Sequence, residues 1–305
     1  MSDRDTPQGS WQDWLVDRAL RGVVGVLRLL PVRTRLRVAG WLGRRVIAPP
    51  MGWYARVEAN LDHVWPGTPP ERKRAIADAS IDNLARALIE NYDPQEMLRR
   101  GAAYPVTGPG LPVLEAARAE GRPVLLISGH YGSPVCARCA LVARGYPVAG
   151  LLRAMSNPYA NAQYIQNYRE VMEPVFVQGR RGTIGLLKHI RDGGMAAMVF
   201  DVFESTGEPI DFLGQPAPTA LSLADMALKT GALLIPYFGI RRPDRYGFDV
   251  VIEQPIPHSD ALSMMQEATR RLEARIVADP GQWMWVHRRW KPKRQRKRAA
   301  AKIAP

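Results

Sequence analysis

From about residue 105 onward the chain alternates two kinds of segment. Short apolar runs, PVLLIS at 123–128, PVAGLL at 147–152, PVFV at 174–177, MAAMVF at 195–200 and ALLIPYFGI at 232–240, are separated by stretches of helical spacing near 112–120, 134–143, 157–172, 181–191 and 218–230. Runs this short and this uniformly apolar suit strands covered on both faces. Their alternation with helices predicts an α/β fold with a mostly parallel central sheet flanked by helices. After the Pro/Gly break HVWPGTPP, residues 70–100 read as helix, with Ile76, Ile81, Leu84, Leu88 and Ile89 on its apolar face. Further upstream, at 100° per residue, Asp17, Arg21 and Arg28 share a narrow sector while Trp11, Trp14, Leu15, Val23, Val26, Leu27 and Leu30 fill the rest. This predicts an amphipathic N-terminal helical region, able to lie in a membrane interface with its arginines toward headgroups or to pack on the protein's own core. The expected layout is a membrane-associating helical region over 1–100, an α/β domain over 101–290 and a basic tail over 291–305.

Ligands of open α/β sheets bind beyond the carboxyl ends of the strands. His130 follows the first apolar run, Arg153 the second, and Asp201 the run MAAMVF, so parallel strands would bring all three to one rim. An imidazole with an ordinary pKa near 6.5 can accept a proton at neutral pH. Gly129 and Gly132 flank His130 and would let the backbone turn tightly and leave room for a substrate.

Charge adds a partner class. The chain of 305 residues carries a formal charge of +13, a field that attracts anionic membranes, nucleic acid or acidic proteins. No zinc-finger spacing, RNP aromatic motif or helix-turn-helix is recognisable, so nucleic acid is not expected. The segment QWMWVHRRWKPKRQRKR, with eight basic residues among its last eleven and Trp283, Trp285 and Trp290 beside them, suits an interface with anionic lipid. The N-terminal stretch lacks the basic-then-apolar order of a cleavable signal. Its uncharged runs fall far below the roughly 20 residues that cross a bilayer. The two cysteines, Cys136 and Cys139, lie within one helical pattern and are expected to be small buried thiols.

The chain resembles the bacterial lipid A biosynthesis acyltransferases, whose distant relatives include the mycobacterial phosphatidylinositol mannoside acyltransferases and the glycerophosphate acyltransferases. The likeness is carried by Asn60-Leu61, GRPVLLISGHYGS at 121–133, RAMSNPY at 153–159, GTIGLLKHIRDGG at 182–194, VFDVFES at 199–205, FLGQPAPTALSLADMALKTGALLIPYFGIRRPDRYGF at 212–248 and QWMWVHRRWK at 282–291. It implies that His130 is a general base drawing the proton from an acceptor hydroxyl, which attacks an acyl thioester carried by acyl carrier protein or CoA. Arg153 would serve the developing negative charge or a phosphate. Gly129, Gly132 and Ser133 would line the substrate. The acceptor would be a lipid A precursor or similar membrane lipid, with no metal and no cofactor. The implied location is the cytoplasmic face of the inner membrane, as a peripheral or monotopic protein on an anionic surface.

In one respect the chain departs from the resemblance. The family's pattern H-x-x-x-x-D/E puts an acid where this chain has Val135. Asp201 is the expected substitute for holding the imidazole, with Glu204 second. If neither reached it, the chain would be a catalytically silent relative that binds lipid. A changed acceptor, such as an aminolipid amine, would also tolerate a weaker base.

Overall fold

A computed structural model describes residues 9–291. The basic tail expected over 291–305 lies outside them except for its first residue. The helices are α1 (Trp11–Arg28), α2 (Val32–Leu42) running into a π-helical turn (Gly43–Ile47), α3 (Trp53–Val64), α4 (Pro70–Glu90), α5 (Pro94–Ala103), α6 (Leu111–Ala119), α7 (Pro134–Val142), α8 (Pro158–Arg169), α9 (Arg180–Arg191), α10 (Ser222–Thr230) and α11 (Ala261–Ala278). The strands are β1 (Val106–Thr107), β2 (Val124–Ser128), β3 (Val148–Leu152), β4 (Val175–Val177), β5 (Met195–Val199), β6 (Glu208–Phe212), β7 (Gln215–Thr219), β8 (Leu233–Arg241) and β9 (Phe248–Ile252). The order β1-β9-β8-β2-β5-β3-β4 forms one sheet, parallel throughout except where β8 meets β9. All five apolar runs became strands of it. Every residue of β2 is buried, because helices cover both faces.

The helix expected over 70–100 is broken. Pro94 cannot extend α4 and forces its predecessor Asp93 out of helical geometry (φ −135°, ψ 66°), so α5 starts anew. The helix expected from residue 218 begins at Ser222, since 215–219 pair with 208–212 as an antiparallel hairpin. Val57, Leu61, Ile76 and Ile81 of α3 and α4 share a hydrophobic cluster with Leu125, Ile127 and Phe238 of the sheet.

In α1 the amphipathic pattern is turned around. Its polar sector faces the protein: Asp17 is 1% exposed and accepts from Arg18 (2.6 Å) and Arg21 (2.8 Å), Arg21 reaches Gln163 Oε1 (2.9 Å), and Arg28 reaches Asp93 (3.3 Å). The apolar sector faces outward, with Val26 66% and Leu29 85% exposed and Trp11, Trp14, Leu15, Val16 and Val23 also exposed. Arg21 and Arg28 therefore point away from any surface on which α1 rests, and of the residues placed in the stripe only Leu27 is core, at 5% exposure. No helix among the described residues is long and apolar enough to cross a membrane.

Trp283, Trp285 and Trp290, expected at an interface, are interior residues. All three are buried and pack with one another, and Phe212 stacks on Trp290 at 5.4 Å. Their area is too large to leave in water when the 208–219 hairpin offers an apolar wall. Cys136 and Cys139 are buried free thiols of α7, as expected.

Candidate active site

His130 stands just past the end of β2, and Asp201 just past the end of β5, its parallel neighbour in register through Ser128 and Val199. The Asp201 carboxylate binds both the backbone and the ring of His130: N–H to Oδ2 at 2.8 Å and Nδ1 to Oδ1 at 2.7 Å. Trp283 Nε1 donates to the same Oδ2 at 2.8 Å. Asp201 is 2% exposed. Burial alone would push its pKa up, but the His130 ring and the converging donors prevail and hold the carboxyl well below the usual range. For His130 the balance reverses: burial pushes the ring down, Asp201 pushes it up, and the net shift is upward. An ionised carboxylate can only accept, so in the neutral ring Nδ1 carries the proton and Nε2 keeps a lone pair. No other described residue bonds Nε2, and the side chain is 32% exposed. The arrangement presents an oriented base to incoming substrate.

The loop that carries His130 is fixed on all sides. Its carbonyl accepts from Met284 N (3.0 Å), and the next residues bridge to the C-terminal segment and to β8. Gly132 lies at φ +56°, and a Cβ there would sit 1.9 Å from Gly239 O, so only glycine fits. A Cβ on Gly129 would strike Leu272 at 2.5 Å. The room at these glycines, expected for substrate, is filled by protein. Ser133 is buried and caps α7 by accepting from Cys136 N at 3.2 Å, a use other than the substrate contact expected of it.

Glu204 is not part of the pair. Its carboxylate accepts from Thr206 N (3.2 Å), Thr206 Oγ1 (3.2 Å) and Ser205 Oγ (3.3 Å), closing its own turn. Arg153 follows β3, which lies beside β5, and is exposed without a hydrogen bond or ion pair among the described residues. It shares the rim with His130 and Asp201. Val135, where the family pattern has an acid, packs beside the cluster of Leu152, Tyr168 and Met172.

The C-terminal segment contributes more than its sequence suggested. His287 Nε2 accepts from Phe203 N (3.1 Å), and burial holds its pKa down to about 4, so it remains neutral. The buried Arg289 donates to Pro218 O (2.6 Å) and Thr219 Oγ1. Burial lowers it to about 10, which leaves it charged at neutral pH. Asn60 holds Trp285 O (2.7 Å) and His287 O (2.9 Å). Four of the quoted motifs, around 60, 130, 201 and 285, thus meet at one place. Only their common presence in the resemblance hinted at it.

Trp283→Phe keeps most of the buried ring and removes one donor from Asp201. Less stabilised, the carboxylate becomes more basic and draws the His130 pKa further up. A charge-assisted hydrogen bond of about 1.5 kcal/mol predicts a loss of kcat/KM near tenfold at pH 7 that recovers at higher pH. A purely structural defect would depress activity at every pH, so the pH–rate profile distinguishes them.

Comparison with known proteins places the chain in a family. Residues 6–292 match the family described as bacterial lipid A biosynthesis acyltransferase. The chain is 23% identical over 296 residues to the lipid A biosynthesis lauroyltransferase of Escherichia coli (strain K12), covering 92% of each chain. It is 21% identical over 271 residues to a lipid A biosynthesis acyltransferase of Haemophilus influenzae (strain ATCC 51907 / DSM 11121 / KW20 / Rd), covering 86% of this chain and 83% of that one. It is 26% identical over 236 residues to a phosphatidylinositol mannoside acyltransferase of Mycobacterium tuberculosis (strain CDC 1551 / Oshkosh), covering 73% of each.

Proposed function

Because the chain belongs to the bacterial lipid A biosynthesis acyltransferase family, we propose that it moves a fatty acyl group from a thioester to a hydroxyl of a lipid A precursor or related glycolipid, with His130 as general base. The observation that carries this reading is the Asp201–His130 pair, whose second ring nitrogen is left to accept a proton. In the reaction Nε2 takes the hydroxyl proton while the oxygen bonds to the thioester carbonyl carbon. The C–S bond then breaks, and the imidazolium returns the proton to the departing sulfur. Asp201 fixes the tautomer and balances the cation that forms. Arg153, exposed on the rim and without a hydrogen bond or ion pair among the described residues, is the candidate for charge on the carbonyl oxygen or on an acceptor phosphate. The donor is acyl carrier protein or acyl-CoA; the surplus of 42 Lys and Arg over 29 Asp and Glu favours an acidic carrier.

The protein works on an anionic membrane surface as a peripheral enzyme. The outward apolar stripe of α1 supports this, since a helix with Trp11, Trp14, Val26 and Leu29 in water gains by entering the headgroup boundary. The oriented pair favours an active enzyme over a silent lipid binder, Val135 notwithstanding. Purified full-length chain, mixed with an acyl thioester and vesicles of bacterial lipid extract, is expected to release thiol and give an acylated glycolipid identified by mass spectrometry. Binding to the vesicles without turnover would overturn the enzymatic reading. A product acylated on an amine would move the acceptor to the aminolipids.

A further inference from the structure

A second concentration of chemistry lies away from His130, where α2, α4 and the turn between β8 and β9 meet. A cavity of about 100 Å³ is lined by Arg33, Leu36, Arg37, Arg86, Asp244, Arg245 and Tyr246. Four guanidiniums from three elements face it, and the acids near them are already engaged. Asp82 takes Arg86 through two bonds (2.6 and 3.2 Å) and also meets Arg245 at 3.3 Å and Arg44 at 3.6 Å. Asp244 closes its own turn, accepting from Tyr246 N and Gly247 N at 2.9 Å each, and meets Arg33 only at 3.7 Å. Arg37 is exposed and has no hydrogen bond, ion pair or ring contact among the described residues. Asp244 is the one carboxylate of the lining, and Asp82 behind it is shared among Arg86, Arg245 and Arg44, so the cationic surplus at the cavity is large enough to balance a phosphate dianion.

The cations are also held ready. Arg33 lies over the Tyr246 ring at 4.3 Å. Arg86 is fixed by its bidentate bond to Asp82. Arg245 adopts φ +59°, a left-handed backbone costly for arginine, and its side chain turns back to Asp82 at the cavity. On α2, Arg33, Arg37 and Trp41 follow at four-residue spacing on one face, and Trp41 is half exposed. Arginines beside an exposed tryptophan suit a headgroup-level surface.

We propose that this cavity binds a phosphate group presented as a phosphomonoester. It shares no residue with the His130–Asp201 pair, so it can fail while the acyl-transfer reading stands, and the reverse. The chemistry has two possible sources, a lipid headgroup and soluble phosphate. The test uses the full-length chain, inorganic phosphate measured by calorimetry, and phosphatidylcholine vesicles containing either phosphatidic acid, a monoester, or phosphatidylglycerol, a diester. Arg37→Ala is expected to weaken binding to inorganic phosphate and to phosphatidic acid vesicles by about tenfold, the worth of one charge-assisted contact. Arg191→Ala, which removes one exposed cation from α9, controls for general attraction and is expected to change binding by less than about twofold. Arg33→Ala provides a second variant of the same site. Dependence on Arg37 with vesicles alone supports a headgroup, and with inorganic phosphate alone a soluble ligand. Equal effects of Arg37→Ala and Arg191→Ala, or no preference for monoester over diester together with no uptake of inorganic phosphate, would overturn the proposal.

Discussion

Asp201→Asn is expected to lower turnover by about 10⁴-fold, the scale seen when the orienting acid of a serine-protease triad becomes an amide. The reason lies in the donors that converge on Asp201. Oδ2 accepts from both His130 N and Trp283 Nε1. An asparagine there must offer those donors its single oxygen, which leaves its NH₂ facing His130 Nδ1. That nitrogen then accepts, the ring proton moves to Nε2, and the base has nothing with which to take the hydroxyl proton. His130→Ala removes the base outright and is expected to lose about 10²- to 10⁴-fold by the usual worth of a positioned base. Thiol release in the presence of acceptor lipid measures both, with thermal unfolding to confirm folding. The pH dependence gives an independent reading. With its pKa raised by Asp201, wild-type His130 becomes neutral only above the ordinary value near 6.5, so activity climbs through a limb displaced to higher pH. Residual activity of Asp201→Asn should climb at lower pH, opposite to the movement expected for Trp283→Phe. Turnover within a few-fold of wild type would show that Asp201 does not orient the base.

Much of this site is legible in the sequence because it depends on where strands end. An apolar run that stops at Ser128 and another that stops at Val199 put His130 and Asp201 on one rim once the strands are parallel neighbours, and that adjacency is common in such sheets. The choice between Asp201 and Glu204 needed coordinates, since three residues along a turn reverse the direction of a side chain. The prolines of EPIDFLGQPAPT hid the hairpin of β6 and β7. The periodicity of α1 separated its polar sector from most of its apolar one, Leu27 excepted, but not which of them meets the protein. Arg21, which holds Asp17, bonds Gln163 of α8 142 positions away, and Arg28 bonds Asp93 at the α4–α5 junction 65 positions away, separations that no local periodicity reports. Trp283, Trp285 and Trp290 carry the same ambiguity. Beside a run of arginines they read as interfacial, yet Arg289 among them is itself buried.

The support of the His130 loop reaches into the buried charges below it, where the second large effect is expected. Glu90 and Arg241 form a bidentate pair at 2.7 and 3.1 Å with both side chains almost fully buried, and Arg100 adds a third contact at 3.3 Å. Arg241 Nε continues to Asn83 Oδ1 at 2.6 Å, and Asn83 Nδ2 holds Gly132 O (2.9 Å) and Gln282 O (3.0 Å), the two strands of backbone that flank His130. Glu90→Ala leaves two buried guanidiniums without their anion and is expected to cost about 3–5 kcal/mol of folding stability, measured by urea unfolding. The penalty belongs to the orphaned charges rather than to the worth of the pair. Adding Arg241→Met to Glu90→Ala should therefore recover part of it, giving a coupling of about 1–3 kcal/mol in the double-mutant cycle. Recovery stays incomplete because Arg100 still faces the vacated site and Asn83 Oδ1 loses its donor. Additive losses would mean that the two side chains act independently, and that the loop above them is not held by this chain of contacts.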